Sequence, residues 1–467
     1  MTLFKIAFRN ILRNFRRSLM TASAIAVGTI ALVLFGEYLS FVMVGLETGA
    51  VLSNGHLTVF KKGYFDFGSG NPAAYSIADY QSDIALIKND PVLKPMLNVV
   101  TPTVSLFGIA GNFAIDTSKT FFGFGVVASD RNKMRHWDEY QLRFSRNFGP
   151  LGISDDDANH GVIGVGMARI LGLCAPLKVA NCPAPPKPKQ EVVADAPPAP
   201  NVPGLSAGDR AAADATKTDL APRIDLLGAT AGGAPNVVSF FVNGVSRQGI
   251  KELDDSYVGM NIKLAQELLY GRGEHKAVSI QVQLKRSEDM EAARARLATL
   301  FAHHHLDLEI HDFKDMSPQY NQIVNYLSAV FSFIAVIIAV IVLFTIVNTM
   351  SMSVMERIDE IGTARAMGVR RGGIRLQFMV EGWMLGAIGA TLGIVLASLL
   401  AIWFNNMGIT YTPPGQSAPV PLLLRTHGVG GLLFTVWLVL MLIATVAAIV
   451  PAGKAAKMKV VDALRHV

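Results

Sequence analysis

The sequence predicts a membrane protein with four transmembrane α-helices and a large α+β domain between the first helix and the second. Hydrophobic residues make up 51% of the chain, and its mean hydropathy is +0.36. Four apolar runs reach the roughly 20 residues that a helix needs to cross a bilayer. Residues 45–320 have no such run, and their pattern alternates between strand-like and helix-like segments.

The first predicted span covers residues 18–44. Its apolar part is longer than that of a cleaved signal peptide, and no small-residue cleavage site follows it, so we expect an anchor that stays in the protein. The second span with its stalk covers 322–350 and exceeds the minimum length, which predicts a tilt or an extension beyond the membrane.

The third predicted span covers residues 376–404, and the fourth covers 429–450. The third carries Gly382, Gly386, Gly389, Ala390 and Gly393. Such small side chains let a neighbouring helix approach closely. Pro451 is expected to end the fourth span, because proline interrupts helix hydrogen bonding.

Charges beside these runs predict the orientation of the chain. Basic residues collect before the first span, between the second and the third, and after the fourth, whereas the short loop 405–428 has only Arg425. The positive-inside rule therefore predicts a multi-pass protein of the bacterial inner membrane. Both termini, with the tail 451–467 and the segment 351–375, would be cytoplasmic, and residues 45–320 would be periplasmic.

The large domain is not uniform in composition. Strand and helix patterns lie on both sides of a Pro/Ala-rich insertion at 174–235, which we predict to be extended and without a core. This order suggests an α+β domain that is interrupted by a second one. Gly164 and Gly166 invite a dinucleotide interpretation, but the third glycine and the acidic ribose partner of that fingerprint are missing.

The two cysteines of the chain, Cys174 and Cys182, lie at the beginning of the insertion. We hypothesise a local disulfide between them, which an oxidising compartment permits. Two cysteines are too few for a structural zinc site. The histidines at 303–305 with His311 are the other metal candidate, and we favour solvated side chains over a metal site there.

Catalytic motifs are missing from the sequence. It has no HExxH, no nucleophile motif and no GxxxxGK[ST] loop. We therefore expect a non-catalytic protein without a cofactor of its own, so any ATP and Mg²⁺ must be bound by another chain. A nucleic-acid partner is not expected either, because no basic groove or aromatic-interleaved basic patch is present.

A short charged stretch, Glu356 to Gly373, separates the second span from the third. Acidic residues lie at its beginning and basic residues at its end, which is the order that a helix macrodipole favours. Val354, Ile358 and Ile361 have helical spacing. We predict a short amphipathic helix within 351–375; the alternative is a solvated loop with ordinary charges.

The stretch resembles the coupling-helix signature E-R-x-x-E-I-G-x-x-x-A-x-G of the MacB/FtsX-like permeases of ABC transporters, a group that includes the lipoprotein-releasing LolC and LolE subunits. FKIAFRNILRNFRRSLMTASAIAVG resembles the amphipathic entry helix, here 1–17, and first span of that family. GVIGVGMARILGL and PAGKAAKMKVVDALR resemble further family segments. The coupling residues that the resemblance implies are Glu356, Arg357, Asp359, Glu360, Ile361, Gly362, Arg365, Ala366 and Gly368.

The resemblance implies a permease that forms a homo- or heterodimer in the lipid bilayer and pairs with a separate ABC ATPase subunit. The periplasmic part would be an interrupted porter-like domain with an inserted subdomain. A periplasmic adaptor or cargo would be its outer partner. The chain departs from MacB in lacking a nucleotide-binding loop, and the Pro/Ala-rich insertion departs from the family pattern.

Two functions fit this layout. The first is extraction or export of a lipoprotein, lipid or peptide cargo. The second is FtsX-type mechanotransmission, in which the permease moves no substrate and regulates a periplasmic hydrolase. An anchored enzyme or sensor without an ATPase partner is a third, unrelated alternative.

Overall fold

The computed structural model describes residues 2–68, 70–142, 151–180, 182, 221–230, 232–412 and 419–457. The chain divides into two units, which we call the helical unit and the β domain. The helical unit comprises Met1–Leu46, Gln319–Tyr411 and Val420–Val467, and the β domain comprises Glu47–Pro318 and Thr412–Pro419.

The helices are numbered in chain order. They are α1 (Thr2–Arg13), α2 (Phe15–Asn54), α3 (Tyr80–Asn89), α4 (Ala128–Arg135), α5 (Val165–Ile170), α6 (Lys251–Asp254), α7 (Ile262–Tyr270), α8 (Met290–His303), α9 (Phe313–Met316), α10 (Pro318–Glu356), α11 (Ile358–Ala366), α12 (Arg371–Asn406) and α13 (Gly430–Lys457). Single turns of π-helix at Tyr64–Gly68 and of 3-10 helix at Phe113–Ile115 and Ser287–Asp289 complete the helical segments.

The strands are numbered in the same way. They are β1 (Leu57–Lys61), β2 (Leu97–Asn112), β3 (Thr117–Val126), β4 (His160–Gly164), β5 (Arg223–Ala229), β6 (Pro235–Ser246), β7 (Tyr257–Asn261), β8 (Ser279–Leu284), β9 (Leu308–Asp312), β10 (Thr410–Tyr411) and β11 (Val420–Pro421).

Within the described residues, four helices are long and apolar enough to cross a membrane. They are Phe15–Asn54, Tyr320–Glu356, Arg371–Asn406 and Gly430–Lys457. The four apolar helices and the large α/β domain confirm the fold class that the sequence predicts. Each helix extends beyond the predicted apolar span at one or both ends, because polar residues continue the helix after the apolar run is complete.

The helix ends near Pro451 and within 351–375 add detail to the prediction for the helical unit. Pro451 does not end the fourth span but lies inside α13, which continues to Lys457. The proline removes only one backbone hydrogen bond, and such a loss is tolerated in membrane helices. The segment 351–375, within which a short helix is predicted, contains the end of α10, the separate short helix α11 and the beginning of α12. Residues 458–467 of the predicted tail lie outside the described part.

Glycines of α12 allow two neighbouring helices to approach it. A Cβ atom added at Gly382 or Gly386 would lie 2.6 Å from the Cβ of an alanine of α13. A Cβ atom at Gly389 would lie 2.8 Å from the Cβ of Ile25 in α2, and one at Gly393 would meet Thr29. The small-residue stripe therefore serves two contacts, which is the packing that small-xxx-small spacing permits.

The β domain combines two strand arrangements that share β2. Strands β9, β1, β8 and β2 form an antiparallel sheet in that order. Helix α3 connects β1 to β2, and α8 connects β8 to β9, which gives the ferredoxin-like β-α-β-β-α-β pattern. The residues between Thr103 and Ser279 interrupt this pattern.

The interrupting residues build a closed ring of strand pairs. Its order is β2, β3, β7, β4, β6, β5 and back to β2. Residues 97–103 of β2 pair with β8 of the sheet, and residues 103–112 pair with β3 of the ring. Helix α7 packs against the ring, with Leu264 and Leu268 buried among inward-facing side chains such as Phe240.

One strand of the ring lies inside the predicted insertion 174–235. Residues Arg223–Ala229 form β5, although the composition around them suggested an extended segment without a core. Ile224 and Leu226 alternate with less buried residues and face the core, so this short period-2 pattern specifies a strand. Residues 183–220 lie outside the described part of the chain.

Candidate coupling site

The predicted coupling stretch folds around two breaks in the helix. Helix α10 ends at Glu356, and Arg357 precedes α11 with a non-helical backbone (φ −110°, ψ 21°). After α11, Gly368 has a φ of +94°, a conformation that glycine adopts without strain. Asp359 and Glu360 lie in the first turn of α11 and Arg365 lies in the last, as the macrodipole favours.

A buried ion pair fixes the first break. The Nη1 atom of Arg357 donates to both carboxylate oxygens of Glu381, at 3.0 Å each. The two side chains are only 7% and 5% exposed. The guanidinium carbon also lies 5.2 Å from the centre of the Phe378 ring, within cation–π range. Arg357 is therefore held by α12.

The pair extends to α1 through two further contacts. Asn10 Nδ2 donates to Glu381 Oε1 at 2.6 Å. Glu360 accepts from Arg357 Nε at 3.2 Å and from Arg13 Nη2 at 2.8 Å. Hydrogen bonding from Arg13, supported by Arg357, lowers the pKa of the Glu360 carboxyl below its usual value. Glu360 therefore stays ionised and connects α1 to α11.

One more contact completes what we call the charge network. It consists of Asn10, Arg13, Arg17, Glu356, Arg357, Glu360 and Glu381. Arg17 of α2 forms an ion pair with Glu356 at the end of α10. Outside the network, Arg365 Nη1 donates to the carbonyl oxygen of Ala456 in α13 at 2.8 Å. Helix α11 thus has polar contacts with α1, α12 and α13.

One face of α11 packs against the apolar core, and other residues of the helix are accessible to solvent. Ile361 and Gly362 are buried, and Ile361 belongs to the same core cluster as Ile374 and Phe378. Asp359, Ala366 and Gly368 are exposed. Met367 is 76% exposed at the C-terminal end of the helix.

A small cavity adjoins the charge network. Its volume is about 30 Å³, and it is lined mainly by polar side chains, including Asn10, Asn14, Ser18, Thr349, Ser353 and Glu381. A cavity of this size and polarity has room for a water molecule. It is too small for an organic substrate.

The sequence analysis missed the partners of the predicted residues. Glu381 is the one acidic or basic residue in the apolar run 378–404, and an isolated carboxylate in a membrane helix is a signal of function. Asn10, Arg13 and Arg17 carried no such signal, because nothing in one sequence relates them to residues about 340 to 370 positions away. Their contacts depend on the tertiary structure.

The other predicted site residues lie in the β domain. Cys174 and Cys182 form a disulfide with a Cα–Cα distance of 6.2 Å. The histidines at 303–305 are exposed, and His311 stacks on Phe65 with 4.0 Å between ring centroids. Within the described residues, no three His, Cys, Asp or Glu side chains come together as metal ligands.

Gly164 and Gly166 serve close packing in the structure. A Cβ atom at Gly164 would collide with the carbonyl oxygen of Asp254, and one at Gly166 would collide with the carboxylate of Asp255. These glycines let the junction of β4 and α5 approach α6 and the residue after it. The steric need for glycine explains the GxG spacing without a nucleotide.

Residues 332–460 match the family model of the FtsX-like permease C-terminal domain. The macrolide export ATP-binding/permease protein MacB of Escherichia coli is 32% identical over 141 residues, which are 29% of this chain and 21% of MacB. The MacB protein of Shewanella sp. is 30% identical over 227 residues, which are 46% of this chain and 33% of that protein.

The ABC transporter permease YknZ of Bacillus subtilis is 27% identical over 219 residues, which are 46% of this chain and 50% of YknZ. The chain thus spans half or less of the length of these relatives. The crystal structure of the extracellular domain of the noncanonic ABC-type transporter YknZ from Gram-positive bacteria aligns with 55% of this chain and 99% of that domain. That alignment has 14% identity and a TM-score of 0.29.

Proposed function

We propose that the chain is an ABC transporter permease of the MacB/FtsX-like family, which its matches support, and that it receives the work of ATP hydrolysis from a separate ATPase subunit through α11. The observation that carries the proposal is the charge network. It fastens α11 to helices of the membrane-spanning set by a buried ion pair and by contacts to α1 and α13. A displacement of α11 would therefore be passed to those helices.

The exposed end of α11 is the part we assign to the ATPase. Met367 is an accessible apolar side chain, and Asp359 is an exposed charge that could specify the partner by complementarity. Glu360, in contrast, has its carboxylate bound by Arg13 and Arg357. We therefore separate two roles: the exposed end docks the ATPase, and the charge network transmits its movement.

Co-purification with an ATPase subunit and measurement of its hydrolysis rate test these roles. We expect Met367→Asp to abolish co-purification, because a charge replaces the apolar anchor. Glu381→Gln should retain the ATPase but lose the effect of the permease on hydrolysis. Met407→Asp is the matched control, since Met407 is also exposed but lies after the opposite end of α12. Normal co-purification of Met367→Asp would contradict the docking role.

We further propose that the work is applied to an apolar cargo, such as a lipoprotein, a lipid or a peptide. What supports this is a row of aromatic side chains on the outside of the ring, Phe107, Phe122, Phe124 and Tyr257. Successive ring centroids are 4.7, 4.5 and 5.9 Å apart. Phe107 is 60% exposed, and the other three side chains are half-buried. Contiguous apolar surface of this kind marks binding sites.

A photo-crosslinking residue at Phe107 distinguishes cargo transport from mechanotransmission in native membranes. Lipid-modified or peptide adducts would support the cargo proposal. An adduct with a hydrolase or its adaptor would support the FtsX-type alternative instead. Phe67 is the control position, because it is also exposed but belongs to the π-helical turn outside the ring.

The proposal includes the arrangement in the cell. Both termini and α11 would be cytoplasmic in the bacterial inner membrane, and two permease chains would form a dimer, either homomeric or heteromeric. The basic flanks of the spans support this orientation. The lipoprotein-releasing LolC/LolE type stays a prediction, which the crosslinked cargo would test.

A further inference from the structure

We propose that α1 and the first residues of α2 form a binding site for acidic phospholipids at the membrane surface. Two rows of side chains make up this site. The apolar stripe consists of Phe4, Phe8, Leu12 and Phe15, and the basic row consists of Lys5, Arg9 and Arg16. The site goes beyond the proposed coupling function and does not depend on the ATPase.

The apolar stripe is about half exposed within the described part of the chain, although the edge of the Phe4 ring contacts Trp383 with 5.9 Å between ring centroids. Its four side chains are between 49% and 58% exposed. Their spacing of four, four and three residues puts them on one helical face. An exposed apolar face on a helix that ends one residue before a predicted membrane span lies at the boundary of the bilayer.

The basic row lies directly beside the stripe. Lys5, Arg9 and Arg16 each follow a stripe residue by one position, so the row is turned by about 100° from the stripe. All three are exposed, and no hydrogen bond or ion pair is found for them among the described residues. Because the first acidic residue of the sequence is Glu37, nothing on α1 neutralises the row.

The face of α1 opposite the stripe packs against the protein, and this fixes the direction of the site. Ala7 is fully buried, and Asn10 bonds to Glu381. Arg13 is engaged by Glu360. The basic residues of this region are thus divided between one group that faces the charge network and one that faces away from the helical unit.

Charge complementarity identifies the occupant as the acidic phospholipid of the same bilayer. An amphipathic helix inserts its apolar side chains at the level of the headgroups, and basic residues at the flank of that face meet anionic headgroups. Arg13 joins α1 to α11 through Glu360. Helix α1 would therefore contact lipid on one side and the charge network on another.

Native mass spectrometry of the detergent-solubilised full chain tests the site by titration with phosphatidylglycerol and phosphatidylcholine. We expect the triple variant Lys5→Gln, Arg9→Gln, Arg16→Gln to lose about 100-fold in preference for phosphatidylglycerol, since each basic side chain near a membrane surface contributes roughly a fivefold effect. The control Lys88→Gln, Lys94→Gln, Lys251→Gln removes the same charge from exposed positions of the β domain and should retain the preference.

A further variant and a folding control separate lipid binding from other causes of a changed preference. Phe8→Ser retains every charge and should weaken both lipids alike, which separates the stripe from the row. Circular dichroism of each variant verifies its helix content. An unchanged lipid preference in the triple variant, an equal loss in the control, or displacement of the lipid by inorganic phosphate would overturn the proposal. So would a change in oligomeric mass without a change in lipid preference, because the face would then hold a second copy.

Discussion

Glu381 in α12 and Glu37 in α2 are both carboxylates inside the helical unit, but their surroundings differ. Glu381 is 4% exposed; its Oε1 accepts hydrogen bonds from Arg357 and Asn10, and its Oε2 accepts one from Arg357. Glu37 is 1% exposed, and its Oε2 atom has no hydrogen-bond partner. The Glu381 carboxylate thus has hydrogen bonds to both of its oxygens, whereas the Glu37 carboxylate lacks a partner for one of them. Burial alone does not say what a charge contributes.

We expect substitution of Glu381 to change the free energy of unfolding most. Glu381→Gln removes the buried carboxylate that pairs with Arg357, and removing one partner of a buried ion pair costs about 3–5 kcal/mol of unfolding free energy. Unfolding of the purified chain in a denaturing-detergent titration measures this loss. Glu360→Gln is the control, because that carboxylate is half exposed and its loss should cost much less. Equal costs would mean that the pair is not buried in the protein.

His56 of the β domain is a third buried ionisable group. We expect it to make the free energy of unfolding depend on pH, by an amount similar to the cost of Glu381→Gln. His56 is fully buried, and its Nδ1 accepts from the Leu284 amide at 3.0 Å, so Nε2 carries the proton and donates to Ser287. Burial lowers the pKa of His56 from 6.5 to about 4. The unfolded chain therefore binds the proton more readily, and stability should fall by about 3 kcal/mol as the pH drops from 6.5 to 4.

Hydrogen exchange at the Leu284 amide measures the His56 effect locally, because a protonated Nδ1 cannot accept that bond. Protection should be full above pH 6.5 and decline through the window down to pH 4. His56→Gln should abolish the pH dependence, whereas His304→Gln, at an exposed position, should preserve it. A decline that persists in His56→Gln would assign the titration to another group.

Substitution of Glu37 should change the free energy of unfolding in the opposite direction from substitution of Glu381. Glu37→Gln removes a buried charge that lacks a full set of partners, and we expect the unfolding free energy to rise by about 1–2 kcal/mol. The same detergent titration measures it beside Glu381→Gln. A loss of stability in Glu37→Gln would show that its carboxylate has a partner in the membrane, and the contrast between the two sites would then disappear.

The smallest effect is expected at the exposed edge of the charge network. The Arg13–Glu360 pair is about half exposed on both sides, and exposed ion pairs contribute about 0–1 kcal/mol. Arg13→Gln should thus leave the unfolding free energy within 1 kcal/mol of the wild type. A larger loss would mean that the network stabilises as one unit, which a double variant with Glu360→Gln would quantify.

Patterns confined to one segment predicted the structure well, and contacts between distant segments did not follow from them. The apolar runs specified four long helices, and the spacing of Gly382 and Gly386 predicted close helix packing. The breaks at Arg357 and Gly368 were not visible, because the charge pattern of 351–375 is compatible with one continuous helix. Nor could Arg357 be assigned to Glu381 rather than to an outside partner, since pairing depends on which helices become neighbours.

The β domain shows the same limit in its topology. Alternation in Leu97–Asn112 indicates a strand, but no local pattern says that its two halves pair with different partners. Strand β5 was assigned to the insertion because the composition of 174–235, dominated by Pro and Ala, obscured seven residues with a period of two. Averaging composition over a long window concealed a short element.

The nested arrangement of the β domain sets an order in which the chain can fold. Every strand of the ring has been synthesised by Asn261, but the ferredoxin-like sheet needs β8 and β9, and Leu57 of β1 pairs with Asp312, which is made last. Closing so long a loop is slow compared with local pairing. The ring can therefore form during synthesis while β1 is still unpaired. The ferredoxin-like sheet forms completely only after the whole domain has been synthesised.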